Sequence, residues 1–337
     1  MPAGSGVSGR ALADSSSGRS SRWNDLSARI VSALVLLPVV LFCVWTGGYA
    51  FLLVITAAGL GLAFEWLVMC GFTRSDPAFF WFPAVILAVA IAAGLGFAWV
   101  GLSLGLIASV AAMLGGSTLV ASRASPTPLL RHGPDKPGHD EREGPGRDGG
   151  EWPGHDEREG PGHSGLAVRA KFNLAFGIPY IGLAAVALPW LREDPDAGLA
   201  NTLFILVLIW TSDIGAYAAG RLIGGAKLAP VISPGKTWSG ALGGLVCAAL
   251  ASLAFTACFT PGFSALHVIG LAIGLGVISQ AGDLLESALK RHFGVKDSGR
   301  IIPGHGGLLD RLDSLLAVAP AAALLAFTVG RGVVLWR

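Results

Sequence analysis

Long apolar runs make up most of the chain, and short polar turns or loops separate them. A membrane-spanning helix needs about 20 mainly apolar residues, and it satisfies its own backbone hydrogen bonds within lipid. The hydropathy pattern therefore predicts an all-α fold, a polytopic integral membrane protein with about nine transmembrane helices. The predicted spans cover roughly residues 29–47, 50–71, 78–97, 99–119, 173–191, 199–219, 238–259, 264–283 and 314–335.

Composition supports a membrane protein and argues against a nucleic-acid partner. Only 14% of the residues are charged and 53% are hydrophobic, whereas soluble domains carry roughly 25% charged residues. The net charge of +2 is small, and the sequence has no basic patch with interleaved aromatic residues. The four cysteines lie within apolar runs without metal-ligand spacing, which indicates small buried hydrophobic residues. They are Cys43, Cys70, Cys247 and Cys258.

The distribution of basic residues predicts how the spans are oriented. Lys and Arg occur in the N-terminal tail, after span two, in a long insert, and after spans six and eight, whereas the alternate loops hold few. Cytoplasmic loops carry the excess of Lys and Arg in membrane proteins. We therefore expect the N-terminus and the two polar loops after spans six and eight to be cytoplasmic.

Two segments lack apolar periodicity and divide the chain. The first, residues 1–28, is rich in Ser, Gly and Arg and predicts a disordered cytoplasmic tail. The second, the insert at 120–170, contains the decapeptide PGHDEREGPG twice and also predicts disorder. The remaining parts are N-terminal transmembrane helices at 29–119 and a second transmembrane region at 171–337.

Carboxylates and basic residues gather around the junction of spans eight and nine. If span eight continues as a helix, four polar positions share one face because they are spaced by three, four and seven residues. Asp310 and Asp313 are three apart and face the same way at the start of span nine. Carboxylates near a membrane boundary are costly unless paired, hydrated or bound to a cation, so the pattern predicts an interfacial helix end or an oxygen-ligand site for Mg²⁺. The shared face of span eight holds Asp283, Glu286 or Ser287, and Lys290.

A second polar segment connects spans six and seven. Asp213 lies inside an apolar span, where an ionisable residue indicates a functional site or an anchor paired to another helix. Ser233, Lys236 and Thr237 precede span seven, and a helix N-terminus attracts anions. Lys236 is therefore a predicted phosphate-binding residue, whereas Glu65 in span two is interpreted as a polar contact inside the bundle.

Carboxylates for a metal and cations for phosphates thus lie on one predicted membrane face. Phosphoryl and nucleotidyl transfer need this combination, since the protein mainly positions the reacting groups and neutralises their charge. An ion-coupled transporter that uses Asp213 and Asp283 as intramembrane carboxylates is the alternative from another class. The sequence lacks matching halves and places its charges at span ends, and both features favour the enzyme.

The stretch from Ser287 to Asp313 resembles the signature of the phosphatidate cytidylyltransferase (CDP-diacylglycerol synthase) family. That signature reads S-x-apolar-K-R-x4-K-D-x-small-x2-apolar-P/G-x-H-G-G-apolar-x-D-R-apolar-D, and every position matches. The segment 213–240 is similar to a second family region containing SP-x-KTW-x-G, although Ser239 stands where an acidic residue is common. The resemblance is strong over roughly 170–337. The matching signature residues are Ser287, Lys290, Arg291, Lys296, Asp297, Gly299, Ile302, Pro303, His305, Gly306, Gly307, Asp310, Arg311 and Asp313.

The resemblance implies a reaction in which CTP and phosphatidic acid give CDP-diacylglycerol and pyrophosphate, with Mg²⁺ as the cofactor. It assigns catalysis to Asp283, Asp310, Asp313, Lys290 and His305. The implied metal ligands are Asp283, Asp310 and Asp213. The implied substrate-binding residues are Ser233, Lys236, Thr237, Ser287, Arg291, Lys296 and Arg311.

The resemblance leaves several points open. A cytidylyltransferase that acts on another lipid phosphate would carry the same signature, and only lipid specificity would separate the two. Homodimerisation through helix faces rich in small residues is a further expectation. We expect an integral protein of the bacterial inner (cytoplasmic) membrane, with its active site on the cytoplasmic side.

Overall fold

The computed structural model describes residues 34–114, 163–260, 262–299, 301 and 306–337, and within these ranges the chain forms nine helices and one β-hairpin. The all-α prediction is confirmed apart from the hairpin, in which β1 and β2 pair antiparallel. In chain order the elements are α1 Leu34–Thr46, α2 Gly48–Met69, α3 Ala78–Gly94, α4 Ala98–Leu114, α5 His163–Arg192, α6 Gly198–Leu222, β1 Lys227–Ala229, β2 Ser233–Thr237, α7 Trp238–Phe259, α8 Ala265–His292 and α9 Leu309–Val329.

Six of these helices, α2 and α5 to α9, are long and apolar enough to cross a membrane. The other three, α1, α3 and α4, are apolar but shorter, and α3 and α4 have 17 residues each. Length and composition therefore confirm an integral membrane protein. The predicted tail at 1–28, and the insert as far as residue 162, lie outside the described residues.

Several helix boundaries differ from the predicted spans: α3 and α9 end earlier, at Gly94 and Val329, whereas three other differences lengthen a helix. α5 begins at His163, within the segment expected to be disordered, because Ala, Leu and Val follow the repeated Gly and Pro there. α8 continues to His292 instead of ending near residue 283, and α9 begins at Leu309 instead of residue 314. Hydropathy locates the apolar centre of a helix, whereas these two ends carry charged residues that pair with one another.

The helix α5 lies at the centre of the bundle and contacts α2, α3, α4 and α9. Gly177 lets it approach α2 closely, because a Cβ at that position would overlap the indole ring of Trp66. Trp66 is fully buried, and its Nε1 donates a hydrogen bond to Asn173 O at 3.1 Å. On the other side α6 pairs with α7, and α8 packs against α7 and α9. The helix α9 therefore joins the two halves, since it packs on both α5 and α8.

Several helix ends meet at the end of the bundle away from the hairpin, which we call the far end. Arg192, the last residue of α5, donates from Nε to Val44 O of α1 at 2.6 Å. Trp336, beyond α9, donates from Nε1 to Thr260 Oγ1, beyond α7, at 3.2 Å. These contacts place the ends of α1, α5, α7 and α9 together.

Asp194 ties the loop between α5 and α6 to the C-terminal segment at the far end. Its Oδ1 accepts hydrogen bonds from Ala197 N at 2.9 Å and Asp196 N at 3.1 Å, and its Oδ2 accepts one from Gly332 N at 2.7 Å. Burial raises the pKa of Asp194, but these hydrogen bonds and nearby Arg331 outweigh burial and hold the pKa below its ordinary value of 3.8. The native state therefore favours the ionised carboxylate.

Asp194→Asn should lower the melting temperature at pH 7 by about 2–4 °C, since a lost helix-end carboxylate is worth about 1 kcal/mol. Because the folded pKa is depressed, this contribution is present above the ordinary value of 3.8 and is lost as the pH falls through the lower folded pKa. Thermal unfolding of both proteins at pH 7, 5 and 3.5 checks the prediction. Asp196→Asn, an exposed neighbour, is the control, and a difference that grows on acidification would contradict the assignment.

Candidate active site

An open pocket of about 450 Å³ lies at the hairpin end of the bundle, among α6, the hairpin, α7 and α8. Its wall carries both signs of charge, with Asp213 and Arg221 from α6 opposite Lys236 and Asp283. Tyr217 also lines it, and its hydroxyl accepts a hydrogen bond from Arg221 Nη1 at 2.9 Å. The pocket can therefore accept an anionic group beside carboxylates.

The hairpin places Lys236 at this pocket. Gly224 and Gly225 turn the chain after α6 with φ angles of 66° and 101°, a region that favours glycine. The strand β2 then leads directly into α7, whose first turn is capped because Thr237 Oγ1 accepts a hydrogen bond from Gly240 N at 3.1 Å. Lys236, one residue before this cap, has its Nζ 2.7 Å from Asp283 Oδ2 on α8.

Three carboxylates from α8 and α9 form a cluster beside the pocket, which we call the carboxylate cluster. Asp283, Glu286 and Asp313 each offer an oxygen, and these oxygens lie within 4.8 Å of one another. Glu286 is only 1% exposed, and its Oε1 accepts no hydrogen bond within the described ranges of the chain. Oxygen atoms are the ligands that a hard divalent cation such as Mg²⁺ prefers.

A close approach of α8 and α9 makes the carboxylate cluster possible. A Cβ at Gly282 would lie 2.7 Å from Ala317 Cβ and 3.0 Å from Asp313 O, so a larger residue there would push the helices apart. Glycine at this position therefore lets the neighbouring Asp283 come within reach of Asp313.

Lys290 links the carboxylate cluster to the start of α9. Its Nζ lies 2.8 Å from Glu286 Oε2, one turn earlier on α8, and 2.7 Å from Asp310 Oδ1. The residue spacing predicted that Lys290 and Asp283 share one face if span eight continues as a helix. The helix α8 does continue through Lys290, which confirms this prediction. Lys290 thus balances charge on both helices at once.

The other oxygen of Asp310 holds the loop between α8 and α9. Asp310 Oδ2 accepts hydrogen bonds from Ser298 N at 3.1 Å and from Gly307 N at 3.2 Å. Glu65 of α2 also contacts this loop and accepts a hydrogen bond from Leu308 N at 2.8 Å. Both oxygens of Asp310 are thereby used within the protein.

Some predicted site residues lie together and others do not. The structure brings together Asp283 and Asp313 with Glu286, and it places Lys290 and Asp310 beside them. Asp213 lines the pocket but does not belong to the carboxylate cluster. The assignments of Asp310 and Asp213 as metal ligands stay predictions.

Of the predicted substrate-binding residues, Lys236 and Thr237 line the pocket, whereas Ser233 and Ser287 are not among its lining residues. Thr237 is buried and lines it, whereas Ser233 is half-buried at the start of β2 and Ser287 is half-buried in α8. Arg291, at the end of α8, donates from Nε to Ile232 O at 3.3 Å and so braces the hairpin.

The last three predicted residues, which follow α8 in the chain, are Lys296, His305 and Arg311. Lys296 is exposed in the loop between α8 and α9, and Arg311 lies in the first turn of α9, where it lines an apolar groove beside α1, α2 and α5 and not the pocket. His305 lies outside the described residues.

Two residues matter more in the structure than their sequence context indicated. Glu286 shares the helical face of Asp283 and Lys290, and its spacing was a usable signal, but the aligned signature begins at Ser287. Glu65 stands alone in an apolar helix, and its contacts lie more than 230 residues away in sequence. No local pattern could have identified its partners.

Comparison with known proteins agrees with this arrangement. The profile of a family described as "Cytidylyltransferase family" matches residues 27–329. Proteins named "Phosphatidate cytidylyltransferase" from Brucella suis biovar 1 (strain 1330) and Brucella melitensis biotype 1 (strain ATCC 23456 / CCUG 17765 / NCTC 10094 / 16M) are each 36% identical over 304 residues, which is 90% of this chain and 92% of theirs. A protein of the same name from Staphylococcus saprophyticus subsp. saprophyticus is 43% identical over 153 residues, or 45% of this chain and 59% of that protein. With its signature, its helical membrane fold and these relatives, the chain belongs to the cytidylyltransferase family.

Proposed function

We propose that this chain is a phosphatidate cytidylyltransferase, which converts CTP and phosphatidic acid into CDP-diacylglycerol and pyrophosphate. The observation that carries the proposal is the shared position of Asp283. It pairs with Lys236 in the pocket wall and also belongs to the carboxylate cluster. A site for phosphate anions and a site for a divalent cation are therefore adjacent, as nucleotidyl transfer requires.

The carboxylate cluster fits Mg²⁺, which we propose as the cofactor. Asp283, Glu286 and Asp313 supply oxygen ligands only, and the buried Glu286 Oε1 has an open acceptor position within the described chain. When bound, Mg²⁺ would offset the negative charge of the nucleotide phosphates. Asp310 has both oxygens engaged by Lys290 and the loop, so we propose that it positions Lys290 and the start of α9.

The chemistry needs few groups beyond these. A phosphate oxygen of phosphatidic acid attacks the α-phosphorus of CTP and forms a new P–O bond. The bond from that phosphorus to the α,β-bridging oxygen breaks, and its electron pair leaves with pyrophosphate. Because the lipid phosphate is already an anion, the protein mainly has to hold two anions together, and Lys236 and Arg221 face the pocket for this purpose.

We propose that all nine helices cross the bacterial inner membrane, with the hairpin end and the N-terminus in the cytoplasm. The contacts support this arrangement. Glu65, near the end of α2, meets the start of α9 at the hairpin end, whereas the ends of α1, α5, α7 and α9 meet at the far end. The odd-numbered helices α1, α5, α7 and α9 thus end at the far end, whereas α2 ends at the hairpin end. Helices that cross one membrane in succession must alternate in this way. A homodimer stays a prediction.

The direct test is CTP-dependent formation of CDP-lipid from phosphatidic acid by the purified chain in lipid–detergent micelles, with Mg²⁺ or with a chelator. We expect metal-dependent CDP-diacylglycerol and one equivalent of pyrophosphate. Asp313→Asn should cut turnover by about a hundredfold or more, since it removes one charged group of a preorganised site. Asp196→Asn at the far end should retain activity. Turnover of a different lipid phosphate, with phosphatidic acid inert, would replace the proposed substrate.

Lys236→Met should raise the KM for CTP or for phosphatidic acid by about tenfold, because the pocket wall loses one of its two cations and keeps Arg221 alone. Titrating each substrate against a saturating amount of the other identifies which phosphate Lys236 holds. Lys227→Met is the matched control, since Lys227 lies on the same hairpin, is exposed and does not line the pocket. Unchanged KM values for both substrates would remove Lys236 from the binding site.

A further inference from the structure

Glu65 is a buried carboxylate of the N-terminal half that contacts the loop between α8 and α9. It lies in the last two turns of α2 and is only 3% exposed. Its Oε1 accepts a hydrogen bond from Leu308 N at 2.8 Å, and its Oε2 accepts hydrogen bonds from Leu309 N at 2.8 Å and Ser298 Oγ at 3.2 Å. All three donors belong to the loop or to the start of α9.

These contacts supply the cap that α9 does not provide for itself. The first N–H groups of any helix have no partner within the helix and attract negative charge. Leu308, the residue at the N-cap position of α9, has an apolar side chain and makes no side-chain cap. Glu65 therefore replaces a local Ser, Thr or Asp cap with a carboxylate from a distant helix.

The same contacts link Glu65 to the carboxylates of the site. Ser298 is 3% exposed and is held twice: its hydroxyl donates to Glu65, and its N–H donates to Asp310 Oδ2. The other oxygen of this carboxylate, Asp310 Oδ1, lies 2.7 Å from Lys290 Nζ. One turn further along α9, Asp313 belongs to the carboxylate cluster.

The packing leaves little freedom for Glu65 to move. A Cβ at Gly299 would overlap its carboxylate, and a Cβ at Gly61, one turn earlier on α2, would lie 2.8 Å from Leu308 Cδ2. Glycine at both positions lets the loop lie directly against α2. The carboxylate is thus enclosed by the groups that it binds.

We infer that Glu65 is a positioning residue for the transfer reaction: it fixes the start of α9 and thereby sets the position of Asp310 and Asp313. The inference rests on the proposed function for its activity readouts. Small displacements of a reacting or ligating group reduce the reaction rate strongly, because the site works by holding the anions and the cation in fixed relative positions. Through this carboxylate the N-terminal helices therefore contribute to the site.

Glu65→Gln tests the inference, because it keeps the size of the side chain while an amide NH₂ replaces one acceptor oxygen. We expect kcat to fall by about tenfold to a hundredfold, the range for lost hydrogen bonds to a charged group. The apparent activation constant for Mg²⁺ should rise severalfold, and the Mg²⁺-induced increase in melting temperature without substrates should shrink. Glu193→Gln, an exposed carboxylate at the far end, should behave like the unaltered chain.

Ser298→Ala removes one of the three donors and leaves the Ser298 N–H contact with Asp310 intact. It should produce a smaller change in the same direction, and the double variant with Glu65→Gln should show little additional loss, because both act through one contact. If Glu65→Gln does not fold, Ser298→Ala alone decides the question. Its apparent activation constant for Mg²⁺ and its Mg²⁺-induced increase in melting temperature are then the two measurements.

Two results would overturn the inference. One is a folded Glu65→Gln protein with unaltered kcat, Mg²⁺ constant and Mg²⁺-induced stabilisation. The other is a rate that falls only in proportion to the folded fraction, with the Mg²⁺ constant unchanged, because that pattern marks a purely structural role. If the unaltered chain fails to convert phosphatidic acid, the proposed function fails, and the Mg²⁺-induced change in melting temperature still decides the role of Glu65.

Discussion

Lys290 makes the interaction on which the polar end of the bundle depends. Carboxylates near the apolar interior are costly unless a partner compensates their charge. Lys290 Nζ lies within 2.8 Å of Glu286 on α8 and 2.7 Å of Asp310 on α9, so one cation compensates two carboxylates. Because these residues lie on different helices, the contact also fixes α9 against α8. The carboxylate cluster and the loop that leads into α9 both require this alignment.

Asp283 extends the same charge balance into the pocket. It contributes to the carboxylate cluster on one side and pairs with Lys236 of the hairpin on the other. The site therefore has cations on both flanks of a group of carboxylates, at one end of a bundle of apolar helices. Such an arrangement suits a reaction between a water-soluble nucleotide and a phosphate attached to a membrane lipid. The lipid stays in the bilayer while its headgroup reaches the charged end.

Hydropathy and helical spacing were sufficient to predict the class of fold and the shared face of Asp283 and Lys290. The continuation of α8 to His292 was not predictable from hydropathy, because its last turns are polar and are stabilised by pairing with α9. The hairpin was missed because two short strands in a glycine-rich loop carry no apolar alternation. The role of Glu65 was beyond local reasoning, since its three donors come from residues far away in sequence that meet it only in the folded bundle.

Binding of Mn²⁺ to the purified protein without substrates, followed by electron paramagnetic resonance, tests the central claim most directly. Mn²⁺ accepts the same oxygen ligands as Mg²⁺, and Asp196→Asn provides a control variant of an exposed carboxylate at the far end. The account predicts that Glu286→Gln and Asp313→Asn lose most of the Mn²⁺ affinity, whereas Asp196→Asn retains it. Full-strength Mn²⁺ binding in folded Glu286→Gln and Asp313→Asn proteins would contradict it.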